Sequence, residues 1–152
     1  MRIVEMTARF AAEMAGWRYP EPYQCYDLAG ADPAYFTDPA NGFHALVDED
    51  GALLGFRSFG ADGQVPGGAY DGAALDTGGG LRPELTGRGL GREAIATGLA
   101  FSRRLHRPDA FRVTVAAFNT RALHVVESLG FAPTDTFRAT ADGAEYRILL
   151  LR

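Results

Sequence analysis

Leu75-Asp76-Thr77-Gly78-Gly79-Gly80-Leu81-Arg82-Pro83-Glu84-Leu85-Thr86-Gly87-Arg88-Gly89-Leu90-Gly91-Arg92-Glu93-Ala94 is the stretch on which the reading of this chain turns. An apolar, strand-like run enters a loop in which Gly87, Gly89 and Gly91 alternate with other residues, and a helix-like pattern leaves it. Glycine lets the backbone turn tightly and approach a ligand with no Cβ in the way. The first amides of the following helix have no partner inside the helix and sit at the positive end of its dipole. Strand, loop and helix together make an anion cradle suited to phosphate. Arg88 and Arg92 place fixed positive charge beside it.

Outward from this loop, periodicity sets the elements. Upstream, Ile3 to Met6 fits a short strand or the start of a helix, and Thr7 to Trp17 carries Phe10, Met14 and Trp17 at helical spacing. Arg18 to Gly42 is irregular and long for a loop, so a short helix or a packed lid is expected within it. Gly42 to Asp48 and Ala52 to Phe59 read as a hairpin turned at Asp48-Glu49-Asp50-Gly51. Ala69 to Leu81 reads as a third strand, with the Gly78-Gly79-Gly80 run supplying a bulge. Downstream, Leu90 to His106 fits an amphipathic helix with Arg103, Arg104 and Arg107 at its negative end. A strand follows from Phe111 to Phe118. Asn119 is suited to cap a short helix, which Gly130 ends. Phe131 to Thr140 and Glu145 to Arg152 form a last hairpin. The strand-loop-helix-strand unit makes its two strands parallel neighbours. The expected fold is α/β in the α+β sense: a single domain over residues 1–152, with a mixed, twisted sheet of about six or seven strands and helices on both faces.

Composition narrows the function. Apolar residues make up 47% and charged residues 22%, as in an ordinary globular domain. All 15 basic residues are arginine. Without lysine there is no Schiff-base chemistry and no P-loop lysine, so pyridoxal and Walker-type nucleotide sites are excluded. The net charge of −4 argues against a nucleic-acid partner. The lone Cys25 fits a reducing compartment, no signal peptide or apolar span is evident, and a cytoplasmic protein with no membrane partner is expected. His44, His106, His124 and Cys25 show no metal-ligand spacing, so no metal is expected.

Three readings compete for the glycine loop. Gly89-Leu90-Gly91-Arg92-Glu93-Ala94 matches a lenient dinucleotide pattern, but the next strand ends Ala116-Ala117-Phe118, with no acid for a ribose. The loop also reads as a tight turn without a ligand. In the third reading, Thr86-Gly87-Arg88-Gly89-Leu90-Gly91 resembles the pyrophosphate motif of the GNAT superfamily of N-acyltransferases, with Thr86 where Arg or Gln is usual. Leu81 and Pro83 match the residues upstream. Asn119-Thr120-Arg121-Ala122-Leu123-His124-Val125-Val126-Glu127-Ser128-Leu129-Gly130-Phe131 resembles that family's Asn-x-x-Ala … Leu-Gly-Phe segment, in the right order and spacing.

The resemblance implies an acetyl-CoA-dependent N-acetyltransferase acting on an amine of a small molecule or a protein. The cofactor would be held by Leu81, Arg82, Thr86, Gly87, Arg88, Gly89, Leu90, Gly91, Arg92 and Asn119. The Leu81 amide would stabilise the oxyanion. Asp76 stands where many relatives carry a strand glutamate and is the candidate base; the alternative is that it is an exposed strand residue or pairs with an arginine. The family's proton-donating tyrosine falls at Val126, which cannot donate, so the enzyme is expected to be slower or to draw an acid from elsewhere. Tyr23 and Tyr26, in an aromatic-rich stretch, are candidate substrate wall for a cationic amine, or else cover the sheet. A homodimer is compatible with the resemblance. The alternatives are a non-catalytic acyl-CoA-binding or sensing module, motivated by Thr86 and Val126, and a peptide-binding adaptor.

Overall fold

The computed structural model describes all residues, 1–152. In order, the chain forms β1 (Arg2–Glu5), α1 (Ala8–Ala15), α2 (Pro33–Thr37), β2 (Phe43–Val47), β3 (Leu53–Phe59), β4 (Leu75–Leu81), α3 (Gly91–Leu105), β5 (Phe111–Ala116), α4 (Thr120–Ser128), β6 (Ala132–Arg138) and β7 (Glu145–Leu151). One sheet of seven strands carries them in the order β1-β2-β3-β4-β5-β7-β6. Every neighbouring pair is antiparallel except β4 and β5. This is the mixed sheet expected from the sequence.

Alternation along the strands puts helices on both faces. Phe43 and Phe56 pack with α1 and α2 residues Met14 and Phe36 in one apolar cluster. Their neighbours point the other way: His44 packs, with its ring tilted, against Phe101 of α3, and Arg57 lies against Gly98 of the same helix. Phe111, Val113 and Val115 of β5 join Leu99 of α3 and Leu123 and Val126 of α4 in a second cluster. Helix ends follow local chemistry. The Thr7 hydroxyl accepts from the Phe10 amide at α1, and the Asn119 side chain accepts from the Ala122 amide at α4. Gly130, at φ 99°, closes α4 in the left-handed region.

Three local expectations are corrected. β4 begins at Leu75 rather than Ala69, and β5 ends at Ala116 rather than Phe118. The residues before β4 are held by side chains instead: Asp71 accepts from the Ala73 amide, and the Tyr70 hydroxyl accepts from the Val65 amide. The long segment after α1 does contain helix, namely α2 and short 3-10 turns at Tyr23–Tyr26 and Pro39–Asn41. Finally, the triple glycine forms no bulge. The β3–β4 register runs unbroken from Gly55↔Leu81 to Phe59↔Thr77.

The opening in the sheet has a different origin. β4 and β5 pair only at Leu75↔Phe111 and Asp76↔Arg112. Beyond that, β4 stays with β3 to Leu81 while β5 stays with β7 to Ala116. Each strand follows its antiparallel partner through the twist of the sheet, and the two diverge. A wedge opens in the middle of the sheet, at the C-terminal ends of its only parallel pair.

Candidate active site

The wedge is bounded by two cavities that meet. The first, about 380 Å³, lies on the α3 side and is lined by Arg57, Gly79 to Leu81, Thr86, Gly87, Gly89, Gly91, Ala94, Ile95 and residues of α4. The second, about 430 Å³, lies on the opposite face under the Tyr19–Leu28 segment. Gly79, Gly80, Leu81, Thr86, Asn119 and Arg121 border both. A molecule on one face therefore has access, between β4 and β5, to a molecule on the other.

At the mouth of the first cavity sits the glycine loop. Gly87 and Gly89 have φ of 74° and 80°, conformations that cost little only for glycine. α3 starts at Gly91 with no side-chain cap on Leu90. No backbone N–H from Gly87 through Glu93 donates to another group of the protein; the Ala94 amide, bonded to the Leu90 carbonyl, is the first that does. These amides, at the positive end of α3 and open to solvent, are free to bind an external acceptor, and an anion fits best. Thr86, at the position usually filled by Arg or Gln, donates its hydroxyl to the Pro83 carbonyl at 2.7 Å and closes the turn that enters the loop.

Deeper in, Leu81 borders both cavities. The Arg82 amide donates to Leu54 of β3, so strand alternation turns the Leu81 amide towards the wedge. The Leu81 carbonyl is already held, at 2.6 Å, by the Tyr19 hydroxyl. Asn119 caps α4 and donates through Nδ2 to the Tyr26 hydroxyl at 3.1 Å, which ties the tyrosine segment to the wall of the wedge. Tyr23 and Tyr26 both line the second cavity and lean on Phe118. Burial pushes the Tyr26 hydroxyl up to about 12, against a smaller opposing effect of its Asn119 bond, so it keeps its proton at neutral pH.

Other residues singled out from the sequence lie elsewhere. The Asp76 carboxylate grips Arg112 with both oxygens, Oδ1 to Nε at 2.7 Å and Oδ2 to Nη2 at 2.8 Å, and also accepts from Gln64. It is buried and lines neither cavity. The candidate base is thus an arginine partner, because its strand position falls at the last β4–β5 pair rather than in the open wedge. Arg82 is likewise not at the site: its guanidinium binds Glu13 and the Leu53 carbonyl. Arg88 and Arg92 are exposed at the rim, Leu90 sits at the helix start outside the lining, and Arg92 reaches the Ser128 carbonyl at 3.4 Å. Val126 is sealed in the α3–α4 cluster, and Val125 faces the cavity instead.

Sequence reasoning missed two arginines. Arg121 borders both cavities and stacks over the Tyr23 ring, 4.2 Å from its centroid. Its signal was present, two residues after a capping asparagine, on the helix face turned to the glycine loop. Arg57 lies at the floor of the first cavity, 6% exposed, and burial lowers its guanidinium to about 10, which leaves it charged at neutral pH. An arginine in the middle of a mainly apolar strand was the available hint.

A wedge between diverging strands, a run of free amides at its mouth and cavities on both faces give the fold of a protein in which two molecules can meet through the sheet. Residues 8–131 match the Acetyltransferase (GNAT) family, and the chain belongs to it. Solved structures share the fold. A chimera of the spermidine N-acetyltransferase of Vibrio cholerae and hSSAT superposes with a TM-score of 0.74 at 17% identity, over 99% of this chain and 95% of that one. An acetyltransferase of the GNAT family from Bacillus anthracis gives 0.75 at 14% identity, over 98% and 92%. No curated protein matches the sequence. No helix is long and apolar enough to cross a membrane.

Proposed function

We propose that this protein transfers an acyl group, acetyl in the simplest case, from acetyl-CoA to the amine of a small cationic acceptor. The observation that carries this reading is the pair of cavities joined across the β4–β5 wedge. Acetyl-CoA fits the first cavity: the free amides from Gly87 to Glu93 suit its diphosphate, and the unpaired edge of β4 near Leu81 suits its amide-bearing arm. When bound, it supplies an acetyl group activated as a thioester.

This chain's residues do the rest. The Leu81 amide holds a hydrogen-bond donor where the carbonyl oxygen gains charge. Asn119 borders both cavities and fixes Tyr26 on the wall of the second, so the Tyr26 hydroxyl would be the candidate donor in place of the one Val126 cannot give. Asp27 and Asp62 are the carboxylates on the wall of the second cavity, beside Tyr19, Tyr23, Tyr26 and Tyr146. Rings and carboxylates favour a cation and offer the amine's proton somewhere to go. The spermidine acceptor of the Vibrio cholerae enzyme has the same chemical character. Asp76 acts here as the clamp that ends the β4–β5 pairing, not as the base.

Calorimetry with CoA and acetyl-CoA, followed by thiol release across a panel of amines, tests the proposal. Micromolar binding with turnover on polycationic amines is the expected result. Absence of binding at millimolar CoA rejects the reading, and tight binding without acylation of any amine favours the sensing module.

A further inference from the structure

Arg57 is a buried charged group with no counter-charge. Its side chain projects from β3 between Gly79 of β4 and Gly98 of α3. A Cβ at Gly79 would stand 2.6 Å from Nη1, and one at Gly98 would stand 3.0 Å from Cγ. Both glycines thus make room for this one side chain. In return it finds little. Nη2 donates to the Thr77 hydroxyl at 3.0 Å, Nε is buried with no partner, and no carboxylate pairs with the guanidinium. A buried charge without a counter-charge is costly and is ordinarily paired. Arg57 instead lines the first cavity, which suggests that its partner arrives with the ligand.

The position of Arg57 says which part of the ligand this is. Gly98 lies two helical turns beyond Gly91, about 10 Å along α3, so the guanidinium is well below the amides that suit a diphosphate. Along β4 it sits beside Gly79, about 7 Å past Leu81 in the direction away from the glycine loop. An arm entering from the loop and offering its carbonyl to Leu81 would carry its acyl chain along the cavity that Arg57 lines. With about 7 Å of strand between Leu81 and Gly79, an acetyl group would stop short of the guanidinium and a longer acyl chain would reach it. A neutral carbonyl of the arm would satisfy a hydrogen bond but leave the charge unmatched, whereas a carboxylate answers both and takes the guanidinium fork.

We propose that Arg57 is an acyl-chain selector and that the preferred donor is a CoA thioester of a short dicarboxylic acid, of malonyl or succinyl length. This rests on the acyltransferase reading above and extends it to the donor. The transfer itself is the same. The amine nitrogen forms the new C–N bond, the C–S bond breaks, the proton lost by the amine balances the one gained by the thiol, and the distal carboxylate is a spectator.

The test compares succinyl-CoA with butyryl-CoA, which matches its length but ends in a methyl group. Calorimetry on the intact protein should give succinyl-CoA a Kd about 10–100-fold lower, as expected of a buried charge-assisted pair. Arg57→Met should collapse that ratio to near one, and Arg57→Lys should keep part of it. The wild-type ratio needs no variant, so the proposal stays testable even if Arg57→Met does not fold. Equal affinity for the two thioesters in wild type overturns the selector role while leaving CoA binding, and hence the acyltransferase reading, intact. Loss of free-CoA affinity in Arg57→Met with no succinyl preference in wild type also overturns it, and assigns Arg57 to the arm. No binding of free CoA at all instead refutes the underlying reading.

Discussion

Replacing Asp76 with asparagine separates two roles that the sequence leaves open. Asp76 and Arg112 have side chains only 6% exposed, and the carboxylate meets the guanidinium at 2.7 and 2.8 Å. Removing one partner of a buried pair costs about 3–5 kcal/mol, because the other charge is left uncompensated. Here Arg112 keeps the carboxylate and carbonyl of Asp71, each at 3.0 Å, and asparagine keeps the shape of the side chain. Asp71 is exposed, so its help is screened, and a net loss of about 2–3 kcal/mol is expected. For a chain of this size that lowers Tm by about 5–10 °C. Urea denaturation and a thermal melt measure the loss. The CoA affinity and the turnover per folded molecule at 20 °C should both stay within about twofold, since Asp76 lines neither cavity. A catalytic base would behave the opposite way, with turnover down about 10²–10⁴-fold and stability hardly moved. That second pattern would refute the assignment of Asp76 as the clamp between β4 and β5.

Gly87→Val should weaken CoA binding at least about tenfold by calorimetry: φ is 74° there, unsuited to a β-branched residue, and a Cβ would lie 3.0 Å from the Arg121 guanidinium. An unchanged Kd would remove the glycine loop from the binding site. His44 should make folding sensitive to mild acid. Burial against Phe59 and Phe101, with His106 nearby, lowers its pKa below 6.5, only partly offset by the Gly42 backbone and Glu5. Between the lowered folded value and 6.5 the unfolded chain holds the extra proton, so stability falls as pH drops into that window. Urea titrations at pH 7.5 and 5 should show a smaller loss for His44→Phe than for wild type, and equal losses would exclude His44 as the source.

Much of the architecture was legible because it rests on local rules. The capping Asn119, the closing Gly130 and the strand-loop-helix order are decided within a few residues, and the structure has each where the pattern puts it. The start of β4 and the end of β5 were not: side-chain bonds of Tyr70 and Asp71 hold the residues before Leu75, and β5 runs only as far as its pairing with β7 at Ala116↔Tyr146. The candidate site divides the same way. Free amides and glycines of the loop follow from sequence, whereas Asp76 and Arg82 looked like site residues until partners far along the chain, Arg112 and Glu13, engaged them. Arg57 and Arg121 reach the cavities only through tertiary packing.

The triple glycine shows why local reasoning chose the wrong cause for the right opening. A glycine run in a strand suggests a bulge, yet the β3–β4 ladder is regular through it. Each glycine instead clears a particular neighbour. A Cβ on Gly79 would fall 2.3 Å from the Phe56 carbonyl oxygen, one on Gly80 would fall 3.1 Å from the Phe56 ring, and one on Gly78 would fall 3.1 Å from the Ser58 hydroxyl. The wedge comes from topology, because β4 and β5 each follow a different antiparallel partner. The glycines make its β4 wall thin enough for both cavities to share, and leave at its floor the space that Arg57 fills. Opening and clearance are separate properties with separate causes, so a side chain at Gly80 should narrow the passage between the two faces without closing the wedge itself.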